Sequence, residues 1–136
     1  MNFNLKIITP EGVFFNKAIN FLLIRTANGN FGVYANHSKV VALIEISWLK
    51  IIDSNKKERL IAVNGGIFRF YNNQATILSE FVSFQEDVNL KEVERMINLY
   101  KQELETAKTK QEIIKVQTSL KKAINLAHGA RDKKDI

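Results

Sequence analysis

At 136 residues the chain has room for one compact domain and an appendage but not for two full-sized domains, and a chain of this size buries roughly two-thirds of the surface it exposes when unfolded. Its apolar fraction of 46% and charged fraction of 25% belong to a globular protein with a real core, and the lack of any cysteine excludes a disulfide framework, a thiolate metal site and a cysteine nucleophile. The net charge of +6 favours acidic partners, and it is weighted to the end of the chain: from Thr109 onward seven basic side chains stand against three acidic ones.

The chain opens with Phe3, Leu5 and Ile7 alternating with Asn4 and Lys6, which puts three apolar groups on one face of a half-buried strand. That alternation is not the continuous apolar run of a signal peptide. No later stretch approaches the ~18 apolar residues of a membrane span, so membrane association is expected to be indirect. Short runs rich in β-branched and aromatic residues follow at Ile19 to Ile24, Phe31 to Tyr34, Val40 to Ile52, Leu60 to Val63, Ile67 to Tyr71 and Ala75 to Phe84. Between them lie turn signals: Pro10-Glu11-Gly12, Asn28-Gly29, Asp53-Ser54-Asn55 and Asn72-Asn73. Many short strands with tight connections and no intervening helices predict an antiparallel sandwich or barrel. The pair Gly65-Gly66 lacks the Lys-Ser/Thr of a phosphate loop and reads as a β-bulge or a tight strand approach.

At Asp87 the period changes from two to between three and four. Val93, Met96, Ile97, Tyr100, Leu104 and Ala107 line one face of an amphipathic helix, and Ile113, Val116, Leu120, Ala123, Ile124 and Ala127 line a second. Asn89 with Glu92, and Thr109 with Glu112, match the capping box, in which the two side chains satisfy otherwise orphan amides at a helix start. Val88 and Val93 flank the first cap as a hydrophobic staple, and Gly129 suits a C-terminal cap. The connection around Thr106 to Thr109 is short enough to require an antiparallel hairpin. The expected fold is therefore α+β: an antiparallel β-sandwich over 1–86, then a C-terminal two-helix hairpin over 87–136. Such a hairpin makes little core alone, so its apolar side needs a further partner.

Side chains fit for chemistry are few. His37 beside Ser38 imitates a base and nucleophile, but neighbours on an extended chain point to opposite sides and no orienting carboxylate is near in sequence. A structural or interface role is the expectation for His37, and His128 suits the negative end of a helix. No residues have metal-ligand spacing, so no catalytic and no metal residues are predicted. The basic C-terminal segment reads as a solvated face, a nucleic-acid surface or a contact for an acidic protein surface. It contains no aromatic residue on which bases could stack.

The motifs and their order resemble the epsilon subunit of F-type ATP synthases. The likeness runs from Ile8-Thr9-Pro10-Glu11-Gly12 through Gly29-Asn30-Phe31-Gly32-Val33-Tyr34-Ala35-Asn36-His37, which is similar to the family's glycine-x-apolar-glycine run ending in Pro-Gly-His. It continues through Val63-Asn64-Gly65-Gly66-Ile67-Phe68 and Thr76-Ile77-Leu78-Ser79-Glu80 to the terminal hairpin. The resemblance implies a non-catalytic central-stalk subunit, peripheral to the membrane at the cytoplasmic face of the plasma membrane through its complex. Its sandwich binds the gamma subunit and rests on the ring of c subunits. Its hairpin either folds back or extends along gamma toward acidic loops of the beta subunits in the alpha/beta catalytic head, restraining ATP hydrolysis. Carried over by residue, Asn30, Phe31, Gly32, Tyr34 and His37 fall in the stretch facing ring and gamma, and Lys115, Lys121 and Lys122 meet the acidic loops. Two departures stand out. Ala35-Asn36 replaces Pro-Gly, which loosens that turn. Members that sense ATP resemble Ile-Asp-x-x-Arg-Ala at the hairpin start, where this chain has Val88, Asn89, Glu92 and Val93 at the corresponding places; Glu92 repels phosphate, so no cofactor is expected. A small basic nucleic-acid-binding module is the alternative function, to be told apart by salt-dependent retention on DNA or RNA, although nucleic acid is not the expected partner.

Overall fold

The computed structural model describes residues 1–132 and divides the chain into two compact units, Met1–Phe84 and a second that begins at Gln85. The first holds β1 (Phe3–Thr9), β2 (Gly12–Thr26), β3 (Gly29–Tyr34), β4 (Val40–Asp53), β5 (Glu58–Tyr71), β6 (Gln74–Leu78) and β7 (Val82–Phe84). The second holds a short 3-10 turn at Gln85–Asp87, then α1 (Leu90–Thr106) and α2 (Lys110–Asp132).

Phe3, Leu5 and Ile7 are buried as their alternation predicts, among a core that also takes Ile19, Leu22, Ile61, Phe68, Phe70 and Ile77. The strands pair in the order β1-β6-β5-β4-β2-β3, with β7 on β5 and with β1 also pairing β2. β1, β6, β5, β4 and β2 thus close a ring around the core. β1 and β6 run parallel while the other pairs are antiparallel. A ring of five strands cannot alternate direction all the way round, so one parallel neighbour is a topological necessity of the closed sandwich.

The sequence reading stopped short at three places. β2 begins at Gly12, seven residues before the run at Ile19, and pairs with β1 along that added stretch. β5 is one strand through Gly65-Gly66, not two. The run from Ala75 to Phe84 is broken between β6 and β7 at residues 79–81, where the chain crosses from one half of β5 to the other.

The glycine pair is what makes this possible. Core-facing positions in β5 are Ile61 and Val63 before it but Phe68 and Phe70 after it, and in β4 the same change of parity falls between Ile44 and Ser47. Both long strands therefore turn over at one crease while keeping a face on the core. Gly65 and Gly66 sit at φ 79° and 146°, and a Cβ at Gly66 would lie 2.1 Å from the Leu78 carbonyl oxygen. The tight-approach reading of Gly65-Gly66 holds.

Two further turns share a device. Thr9 and Thr26 each accept from the amide two residues on (Glu11 and Asn28) and donate to the carbonyl three residues on (Gly12 and Gly29). The hydroxyl thereby satisfies the turn's own backbone.

Along α1 and just past it, Val93, Met96, Ile97, Tyr100, Leu104 and Ala107 are withdrawn from solvent, as the spacing predicts, and Leu90 joins them. Ile97 packs with Ala123 and Ala127, flanked by Leu90, Val93, Tyr100 and Leu120. Two expectations fail here. Ile124 points outward and is 46% exposed, because Ala123 and Ala127 already occupy the facing surface. Gly129 does not end α2, which continues to Asp132. The Gly129 carbonyl is instead one of the last four of the helix, which lack intrahelical partners, and the Gln85 side-chain amide donates to it at 2.8 Å.

Candidate functional site

Both helix starts carry their caps, though unequally. At α2 the box is complete: the Glu112 amide donates to Thr109 Oγ1 at 3.1 Å, and Glu112 Oε2 accepts from the Lys108 and Thr109 amides at 3.0 and 3.5 Å. At α1 only the forward half forms, with the Glu92 amide donating to Asn89 Oδ1 at 3.2 Å. The Glu92 carboxylate is drawn to Arg95, whose Nε donates to it at 3.2 Å. That hydrogen bond, and then the nearby positive charge, holds the Glu92 carboxyl below its ordinary value of 4.5 and raises the Arg95 pKa in return. Glu92 thus engages Arg95 at the hairpin start. Val88 and Val93 are half-buried around it.

The predicted interface residues fall into three places. Asn30, Gly32 and Tyr34 share the outer face of β3, as every second residue of a strand must. Gly32 leaves room for the Phe21 ring, 3.1 Å from where its Cβ would be, and Phe21 in turn packs on Tyr34 with ring centroids 4.7 Å apart. Phe31 turns the other way and packs against the core, its ring 6.5 Å from Phe68. Half-buried, it supports the tip from behind. His37 closes the β3–β4 loop, its ring set edge-on to Phe31 at 5.3 Å and Phe70 at 5.9 Å, with Nδ1 2.7 Å from the Ser38 carbonyl.

The loop that holds His37 is tighter than its sequence suggests. Asn36 takes φ 68°, the left-handed conformation that asparagine tolerates better than other side chains. Its amide donates to Asn73 Oδ1 at 2.6 Å and its Oδ1 accepts from Asn73 Nδ2 at 2.9 Å. The loosening expected from Ala35-Asn36 is not found, since a reciprocal clasp to the β5–β6 turn replaces the constraint.

An exposed apolar row crosses five strands and has no counterpart among the predicted site residues. Leu43, Ile67, Leu78, Ile8 and Val13 are successive cross-strand partners on β4, β5, β6, β1 and β2. Leu43 is 71% exposed and Val13 57%, with Ile67 and Leu78 close to half and Ile8 half-buried. Five strands at ~4.8 Å spacing make this row about 19 Å long. The neighbouring row, Val41, Arg69, Thr76, Lys6 and Asn16, adds two cations, and in the row beyond Asn4 Nδ2 donates to Gln74 Oε1 beside it at 3.0 Å and back to Asn16 Oδ1 at 2.9 Å. An apolar band with a cationic and polar border is what a protein docking surface requires. Each strand contributes one residue to the band, so no local run in the sequence announces it.

On α2, Lys115 and Lys121 are exposed and Lys122 is half-buried and engaged with a neighbour. Lys115 and Lys122, seven residues apart, lie on one helix face, and Lys121 is turned from them by about 100°. Lys121 falls with Ile114 and Ile124, exposed at 52% and 46%, on a second face. Among the described residues there is no cluster of three metal-ligating side chains and no helix long and apolar enough to cross a membrane.

Known proteins share this organisation. Residues 2–84 match the family model described as the ATP synthase delta/epsilon chain, β-sandwich domain. An ATP synthase epsilon chain of Mycoplasmopsis pulmonis is 31% identical over 127 residues, covering 92% of this chain and 90% of that one. Another from Caldicellulosiruptor bescii is 31% identical over 133 residues, covering 98% and 96%. Among solved structures, a chain of the Euglena gracilis mitochondrial ATP synthase superposes with a TM-score of 0.80 at 15% identity, covering 93% of this chain and 80% of that chain. One from the central stalk and c-ring of the Tetrahymena thermophila enzyme gives 0.67 at 12% identity, covering 93% and 95%.

Proposed function

Since this chain belongs to the epsilon-chain family of ATP synthases, and is with it a non-catalytic rotor-stalk subunit in the soluble F1 part of a membrane-associated complex, we propose a division of labour along its length. The front part, 1–86, is the fixed seat that binds gamma and rests on the c-ring, at the cytoplasmic face of the plasma membrane. The hairpin, 87–136, is the movable arm that reaches toward acidic loops of the beta subunits and restrains hydrolysis. No cofactor takes part.

The exposed apolar row carries the first half of this reading. Four side chains on it, Leu43, Ile67, Leu78 and Val13, are large and solvent-facing, and covering each fully is worth roughly 1.5 to 3 kcal/mol. We assign this band to gamma, with Lys6 and Arg69 meeting acidic or carbonyl groups at its margin. The tip formed by His37 and its neighbours is assigned to the ring. The second half rests on the hairpin's thin core and on Ile114 and Ile124, which give α2 an apolar face besides the one it turns to α1. A helix with two such faces has an alternative partner available. A small free-energy difference between folded and extended arms then lets subunit contacts shift the population. Lys115 and Lys122 supply a salt-sensitive contact to acidic loops, and Lys121 goes with the second apolar face.

Replacing both Leu43 and Ile67 by glutamate tests the seat. The variant is expected to keep its circular dichroism spectrum and to bind an epsilon-depleted complex at least a hundredfold more weakly. Undiminished binding would remove the band from the interface.

A further inference from the structure

We infer that Asn73, in the β5–β6 turn, is the positioning residue of the His37 tip, so that the docking surface of the sandwich is built from two loops clasped together. The inference deepens the proposed function and rests on the reading that this tip faces a partner.

Asn72 and Asn73 are the whole connection between β5 and β6, at φ 53° and 59°. Two successive left-handed residues make a type I′ turn, for which asparagine followed by glycine is the favoured pair. A side chain at Asn73 therefore does nothing for the hairpin that glycine would not do better. What it does is reach 37 residues back: its oxygen takes the Asn36 amide proton and its nitrogen donates to the Asn36 side-chain oxygen. Its own carbonyl meanwhile accepts from the Asn4 amide at 3.0 Å, tying the same turn to the start of β1.

Asn36 is the hinge of the tip. It stands immediately before His37, whose amide donates to the Tyr34 carbonyl at 3.3 Å, and its left-handed backbone decides where the imidazole emerges. Without the clasp, an exposed left-handed asparagine would exchange with ordinary extended conformers and His37 would leave its place against Phe31 and Phe70. The tip also joins the rest of the seat. Lys39 lies over the Tyr71 ring at 5.4 Å, and Leu43 of the apolar row is four residues further along β4, about 13 Å away. Fixing the tip fixes the angle between the two contact areas.

The test is Asn73→Gly in the full chain. It preserves the turn and deletes both side-chain bonds. The fold and thermal transition are expected to stay, while hydrogen exchange at the Asn36 amide speeds up about tenfold and affinity for the epsilon-depleted complex falls about three- to tenfold. Unchanged exchange would show that no clasp operates in solution and overturn the inference. Faster exchange with undiminished affinity would overturn it as well. His37→Ala separates the two levels. If that variant binds weakly while Asn73→Gly binds normally, the tip is a contact but Asn73 does not position it. If both bind normally, the tip reading has itself failed.

Discussion

In the β unit Leu5, Ile19, Leu49, Phe68 and Ile77 are wholly removed from solvent, whereas the buried apolar residues described in the helical unit are Ile97 and the three alanines Ala123, Ala127 and Ala130. The sheet residues hold one another through a ring of paired strands. The helices are held by a narrow seam, two caps and a few polar contacts. An alanine contributes little burial, and a helix pair with so thin a seam separates at small cost. Under the proposed division of labour, one short chain is at once a rigid support and a moving arm, with stability placed where the seat is and left out where motion is needed.

Phe68→Ala should cost about 3 to 5 kcal/mol and lower the main thermal transition, seen by the fluorescence of Trp48, because the sandwich cannot close over the cavity. Ile97→Ala should cost about 2 kcal/mol and act elsewhere. It removes the one large buried side chain among the described residues of the hairpin, so helical ellipticity is expected to fall while the Trp48 transition stays in place. A shared transition for the two variants would mean that the units are not independent.

Capping gives the next step down. Thr109→Ala and Asn89→Ala each delete one forward cap bond, from the Glu112 and the Glu92 amide respectively, and should each cost about 1 kcal/mol of hairpin stability. Gln85→Ala takes the donor from the carbonyl of the buried Gly129, at about 1 kcal/mol, read as earlier helical melting.

The smallest effect is electrostatic. Arg95 holds the Glu92 carboxyl below 4.5, so the pair supports the folded hairpin above that value and the support is lost as pH falls through the lowered pKa. Arg95→Ala should return the Glu92 titration midpoint toward 4.5 by NMR. Because both groups are exposed, the change in stability should be slight.

The sequence shows periodic features clearly and long-range ones hardly at all. The alternation of Phe3, Leu5 and Ile7 and the stripe from Val93 to Ala107 report their own burial, because each element's period is the geometry of its buried face. The early part of β2 escaped notice because Asn16 and Lys17 lie on a solvated stretch and carry no strand signal. Ile124 was misplaced because a helix with two apolar faces offers two stripes, and only the partner helix selects between them. Gly129 looks like a stop signal, yet Gln85 supplies from 44 residues away the partner its carbonyl needs. The exposed apolar row and the Asn36–Asn73 clasp are illegible for a related reason: the row forms only after five strands have taken their register, and the clasp only after β4 has paired with β5.

The most direct test of divided labour is a chain ending at Val88, reconstituted with the epsilon-depleted complex and assayed for both binding and ATP hydrolysis. Binding within about twofold of the full chain, together with clearly faster hydrolysis, is the predicted result. Loss of binding would place the seat in the hairpin and contradict the account, and normal binding with unchanged hydrolysis would deny the hairpin its restraining role.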